Sequence, residues 1–260
     1  MAASLGKRLT SWTNCGVHSP DENEGVAGGS TPGARRRGMI YGRRAGHKLR
    51  PAQAQLVDEL LPRLRLTPEE VEATGNLAGK FGRPVDEIWL EIGFGGGEHL
   101  AWQAVRNRHV GFIGIEPFIN GIAKLLTAID DEGLDNVRIY DGDARLMLGA
   151  LPDGCLSRAF VLFPDPWHKK RHNKRRIVNV DTLTQLHRAM KPGAELRIAS
   201  DIPDYVRWIM EHARRVPGFV WQAEKAADWR VRPDDWPMTR YEQKALREGR
   251  APAYLSFRRL

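Results

Sequence analysis

Residues 162–177, LFPDPWHKKRHNKRRI, hold one carboxylate, Asp165, between two prolines and place Trp167 after it. Six Lys or Arg follow within ten residues, with no acid among them. A rigid carboxylate beside an aromatic face suits an acceptor for amine or ring N–H hydrogens, and cations just beyond it suit phosphates. The plainer alternative is a stiff proline corner with Trp167 packed as core, followed by a solvated basic loop. A second chemical cluster is EIGFGGGEH, which supplies Gly93, Gly95, Gly96 and Gly97 and is flanked by Glu91 and Glu98. Glycine there permits positive φ and lets a ligand approach the backbone.

The flanking acids decide which ligand suits the loop. A dinucleotide fingerprint needs its third glycine three residues after the second. That position is Glu98, a poor neighbour for a pyrophosphate. Glu91, two residues before the first glycine, suits a cationic ligand instead. Glu116, at the end of the next strand, is either a plain exposed strand-end acid or, as its pairing with the glycine loop favours, an acceptor for both hydroxyls of a ribose. Asp143, past the third strand, can accept from an adenine amino group or cap the helix that begins at Ala144. An ammonium group, a ribose and an adenine without phosphate describe S-adenosylmethionine. The E-x-G-x-G-x-G shape of residues 91–97 resembles motif I of the Rossmann-like methyltransferases, in which the loop backbone approaches the methionine end.

Alternating elements must position these groups. EIWLEIG, VGFIGIE, NVRIYDGD, SRAFVLFPDPW and AELRIASD read as strands. EHLAWQAVRNR, NGIAKLLTAIDDEG, TLTQLHRAMKPG (ending at Gly193) and PDYVRWIMEHARR read as the helices between and after them. Such alternation implies right-handed crossovers and a mainly parallel sheet covered on both faces. PAYLSFRRL reads as a last strand, and AQAQLVDELLPRLRL as a helix broken at Pro62. Ligands of such sheets bind beyond the carboxyl ends of the strands. That is where the chain sets Glu91 to Glu98, Glu116, Asp141 to Asp143, Asp165 and Asp201.

At 260 residues and 42% hydrophobic content the chain suits one domain with an extension, or at most two small domains. Residues 1–50, with the run Arg35-Arg36-Arg37, have no apolar periodicity and are expected to be a disordered basic arm. The arm is either a plain tail or a non-specific phosphate contact. Residues 51–260 are expected to form the methyltransferase domain. No stretch approaches a membrane span and no apolar signal core is present. Cys15 and Cys155 share no metal-like spacing, so no metal site is expected and a cytoplasmic location is. The net charge of +8 suits a polyanionic partner.

FPDPWHKKRHNKRR, taken with SDIPDY, TRYE and the glycine loop, closely resembles the bacterial tRNA (guanine-N7)-methyltransferases over residues 50–260. The resemblance implies a Rossmann-like methyltransferase fold, an α/β architecture with a mostly parallel seven-stranded sheet, helices on both faces and an antiparallel C-terminal strand. It implies S-adenosylmethionine as methyl donor and a tRNA substrate modified at a variable-loop guanosine, by a monomer or homodimer. It assigns Glu91, Glu116, Asp143 and Asp165 to the donor, beside Gly93, Gly95 and Gly97. Asp165 is also the implied catalytic residue. Lys169, Asp201, Thr239, Arg240, Tyr241 and Glu242 are implied substrate residues. No role carries over to the arm, which departs from the family in length and composition.

Guanine N7 has a free lone pair, so alignment and desolvation, rather than proton removal, should carry catalysis. Asp165 then either accepts from the guanine N1 and N2 hydrogens or stabilises positive charge as the purine becomes cationic. Lys169, Lys170, Arg171, Lys174, Arg175 and Arg176 are expected to meet phosphates. Arg240 and Tyr241 would add a phosphate contact and a stacking face, or Tyr241 would pack as core. Two rivals remain at this point: an amino-group methyltransferase acting on nucleic acid or protein, and a non-catalytic RNA-binding module on the same fold. Amino-group methyltransferases carry an Asp, Asn or Ser followed by two prolines and an aromatic, so the displaced proline of FPDPW speaks against the first, and the intact glycine loop with Glu91 and Glu116 against the second.

Overall fold

The computed structural model describes residues 41–260, so most of the expected basic arm, Arg35-Arg36-Arg37 included, lies outside the described residues. Seven strands form one sheet: β1 (Glu87–Ile92), β2 (Val110–Ile115), β3 (Val137–Tyr140), β4 (Leu156–Leu162), β5 (Met190–Ser200), β6 (Phe219–Trp221) and β7 (Ala253–Arg259). Their order is β3-β2-β1-β4-β5-β7-β6. The first five run parallel, and β7 is antiparallel to both β5 and β6.

Along the chain the helices are α1 (Pro51–Glu59), α2 (Leu61–Leu64), α3 (Pro68–Ala73), α4 (Glu98–Arg106), α5 (Ile119–Glu132), α6 (Ala144–Ala150), α7 (Val180–Ala189), α8 (Pro203–Ala213), α9 (Ala227–Arg230) and α10 (Arg240–Arg247). Pro62 breaks the first helical stretch as expected, and its missing N–H is harmless in the first turn of α2.

The pleat of the strands sorts the core into two layers. Ile88, Leu90 and Ile92 of β1, with Ala159 and Val161 of β4, pack against α3, α6, α7 and α8. Trp89 of β1, with Phe160 and Leu162 of β4, packs against α2, α4 and α5. Glu91 falls on this second face, where the buried polar side chains of His99 and Gln103 from α4 also lie. Strand order reverses between β1 and β4, which makes their carboxyl ends the topological switch point where such sheets bind ligands.

The elements differ from expectation in several places. α7 ends at Ala189 and Met190 already pairs with Leu156, so Gly193 lies inside β5 rather than at a helix end. Pro192 accounts for this, because a residue preceding proline is disfavoured in the helical region. β4 stops at Leu162, since Phe163 turns left-handed and the two prolines have no N–H for a ladder. β6, only three residues long, was not read from the sequence.

Candidate active site

Beyond the carboxyl ends of β1, β2, β3 and β4 lies a cavity of about 430 Å³, a size typical of small-molecule sites. Gly93 and Gly95 form one wall, Glu116 to Phe118 a second, Gly142 to Arg145 a third, and Phe163 to Asp165 with Trp167 a fourth. Tyr41, Arg43, Arg175 and Tyr241 also line it.

The glycine loop has its shape because Gly93, Gly95 and Gly97 all take left-handed φ, at 74°, 57° and 78°. Gly97 begins α4, where a Cβ would press against Leu125 of α5. Glu116 clamps the loop from the next strand. Its Oε2 accepts from Gly95 N at 2.8 Å and its Oε1 from Phe118 N at 3.0 Å. Burial raises the Glu116 pKa; these two amides oppose the rise, nearby Asp165 adds to it and Arg240 counters it. Asp143 Oδ1 accepts from Arg145 N and Arg145 Nε, each at 3.0 Å, so Asp143 caps α6 while lining the cavity. Of its two sequence readings, capping is therefore realised.

Asp165 stands in the cavity wall with its carboxylate open to that space. The walls still withdraw enough water to raise its pKa. On either side of Pro164-Asp165-Pro166 the backbone is left-handed at bulky residues, with φ of 51° at Phe163 and 47° at Trp167. Such conformations are costly and persist where the surroundings impose them, often at functional sites. What imposes this one is visible. Phe163 N donates to Ala199 O, and the Arg176 guanidinium donates from Nε to Pro166 O at 2.8 Å and from Nη2 to Asp204 Oδ2 at 2.6 Å. Trp167 is half-buried, with its ring edge-on to Tyr41 and His172 and 5.0 Å from the Arg175 guanidinium. It is part of the cavity wall rather than core.

The basic loop divides. Lys169, Lys170, Arg171 and Lys174 are exposed. Arg175 lies over the rings of both Tyr41 and Trp167. Arg176 is buried against Tyr205 and Trp208, which corrects the expectation that it meets phosphate. It holds the carbonyl of Pro166, the residue after Asp165.

The C-terminal candidates also separate. Tyr241, on α10, is 45% exposed, lines the cavity and faces Gly95, so the core-packing reading for it is wrong. Arg240 packs across the glycine loop and its Nε lies 3.4 Å from Glu98 Oε1. Thr239 caps α10 by accepting from Glu242 N. Glu242, 1% exposed, points inward, accepting from Tyr254 Oη at 2.8 Å and pairing with Arg232. Asp201 pairs with Arg250. Glu91 does not line the large cavity. It borders a smaller adjoining one with Thr239 and Tyr241 and bonds to His99. Sequence reasoning did not single out His99, Tyr41, Arg43 or Arg145. The last three act through position in space and leave no motif.

Residues 86–254 match the model of a family described as "Putative methyltransferase". The tRNA (guanine-N(7)-)-methyltransferase of Rhodospirillum rubrum is 52% identical over 85% of this chain and 87% of its own. That of Brucella anthropi is 51% identical over 85% of this chain and 94% of its own. The chain belongs to the tRNA (guanine-N7)-methyltransferase family. Among solved structures, the aminoglycoside resistance methyltransferase NpmB1 aligns with a TM-score of 0.48 and 16% identity, covering 75% of this chain and 95% of its own. The fold carried over from the family is the one observed, including the antiparallel C-terminal strand. Of the donor residues that the family resemblance implies, Gly93, Gly95, Glu116, Asp143 and Asp165 converge on one cavity. Gly97 sits behind it at the start of α4 and Glu91 beside it. Of the implied substrate residues, Tyr241 reaches the cavity, while Lys169 lies out on the exposed loop.

Proposed function

We propose that this family member transfers a methyl group from S-adenosylmethionine to N7 of a guanosine in tRNA, in the variable loop. The observation that carries the reading is Asp165, held between two left-handed residues at the mouth of a carboxylate-walled cavity and followed by exposed cations. The walls suit the donor: Glu116 and Asp143 are acceptors, the left-handed glycines allow close approach, and Glu91 lies beside them for a cationic group. When bound, the donor supplies an electrophilic methyl group on a sulfonium.

The chain's residues then have limited but definite work. Glu116 and Asp143 would hold the donor's ribose and adenine, Asp143 while still capping α6. Asp165 accepts from the guanine N1 and N2 hydrogens or offsets the charge that develops as N7 is alkylated; no proton must leave N7, so no general base is required. Tyr241 offers a stacking face at the rim. Lys169, Lys170, Arg171 and Lys174 hold flanking phosphates without reading sequence. Among the described residues no helix is long and apolar enough to cross a membrane, and we assign the protein to the cytoplasm with its tRNA.

The test is incubation with unmodified tRNA and methyl-labelled donor, followed by chemical cleavage at 7-methylguanosine. Label at one guanosine of the variable loop is expected. Label found only on adenine or cytosine amines would refute the assignment.

A further inference from the structure

Glu91 is 4% exposed and His99 2%, and Glu91 Oε2 lies 2.7 Å from His99 Nδ1. A buried Glu–His pair can be a charged salt bridge or a neutral imidazole serving a carboxylate. The surrounding hydrogen bonds decide between these. Asn107 Nδ2 donates to the Gln103 backbone carbonyl at 2.9 Å, which fixes the Asn107 amide, and at 3.2 Å to Gln103 Oε1. Gln103 Nε2 donates to Asp235 O at 2.8 Å, an oxygen that can only accept, which fixes the Gln103 amide. The atom that Gln103 presents to His99 Nε2, at 3.2 Å, is therefore an N–H donor. His99 Nε2 must accept, so the ring proton sits on Nδ1 and is donated to Glu91.

The ring is held edge-on to Phe160 at 4.6 Å and to Trp236 at 5.6 Å, which fixes its plane. A neutral imidazole orients the carboxylate without cancelling its charge. Glu91 lines a pocket of about 10 Å³ whose walls Gly93, Phe163 and Tyr241 also belong to the large cavity. Its charge is thus retained beside the donor cavity for a cationic group.

We propose that His99, as the neutral Nδ1–H tautomer locked by Gln103, is the positioning residue that aims Glu91 at the ammonium group of the methyl donor. This rests on the proposed function. The test combines calorimetry of S-adenosylmethionine binding with nitrogen-detected NMR of the histidine side chains in the full chain. The parent should show His99 protonated at Nδ1 only. His99→Leu should weaken donor binding roughly tenfold or more, the size of one charge-assisted hydrogen bond, with kcat at saturating donor and KM for tRNA unchanged. His99→Asn, whose amide can occupy the Nδ1 position, should restore most of the loss, which a merely structural defect would not permit. An imidazolium or an Nε2–H ring in the parent overturns the inference, and so does unchanged donor binding in His99→Leu. If His99→Leu does not fold, the parent spectrum and the Asn variant still decide. A parent that binds no donor at all overturns the proposed function itself, while the tautomer measurement still reports on the Glu91–His99 pair.

Discussion

The Gly95 amide donates to Glu116 Oε2 at 2.8 Å, so the acid at the end of β2 holds the glycine loop at the end of β1. One carboxylate thereby shapes the loop and faces the cavity. Glu116→Gln keeps the volume but turns an NH2 group toward one of the two amides that Glu116 now satisfies. Donor affinity should fall roughly tenfold or more, since a hydrogen bond to a charged acceptor is lost and an amide donor is left unpaired. Calorimetry with S-adenosylmethionine measures this; a parent-like dissociation constant would show that Glu116 matters only for folding.

Asp165→Asn should separate stability from activity. The folded-state pKa of Asp165 is raised by burial, so the charged form is disfavoured in the fold relative to the unfolded chain. That cost is fully present above the raised pKa and disappears as pH falls through it toward the ordinary carboxylate value. At neutral pH the Asn variant should therefore melt at a temperature equal to or above that of the parent, while turnover collapses. At a pH below both pKa values the difference in melting temperature should vanish. Thermal melts at the two pH values, beside the methylation assay, check both halves. A variant that melts lower at neutral pH would mean that Asp165 holds the fold together.

The sequence made the sheet legible because buried parallel strands and the glycine-closed helix α5 carry strong periodic signals. Its failures have local causes. Lys191 precedes Pro192, and that single proline moved a helix end by several residues. β6 is three residues long and half-exposed, too short for alternation to register. At the site, residue type and place on a strand end were enough to expect Glu116, Asp143 and Asp165 around one space, and they line one cavity. Type and place did not show that Arg176 and Glu242 are buried, the first paired with Asp204 and the second bonded to Tyr254. Tyr41 reaches the cavity from a stretch with no periodicity, and only the folded chain brings it beside Trp167.

Arg176→Ala should act on stability before it acts on RNA. The variant loses the bond to Pro166 O, the pair with Asp204 and the packing against Tyr205 and Trp208. Asp204 is largely exposed and regains water, so most of the loss comes from the orphaned carbonyl and the cavity left behind. About 2–3 kcal/mol is expected, seen as a lower denaturation midpoint with an unchanged salt slope for tRNA binding. A changed slope with parent-like stability would return Arg176 to the phosphate-binding group.

Lys169, Lys170, Arg171 and Lys174 make the opposite prediction. They are exposed on the segment that leaves Asp165, so changing all four to Glu disturbs no buried packing and should leave the melting temperature nearly intact. For every phosphate that is no longer neutralised, the dependence of log affinity on log salt should flatten by roughly 0.7–0.9, and KM for tRNA should rise while donor binding holds. Filter binding of tRNA across a salt series, with calorimetry of the donor as control, measures both. A salt slope equal to the parent's would mean that the RNA backbone passes elsewhere, and the cations following Trp167 would then be a solvated surface.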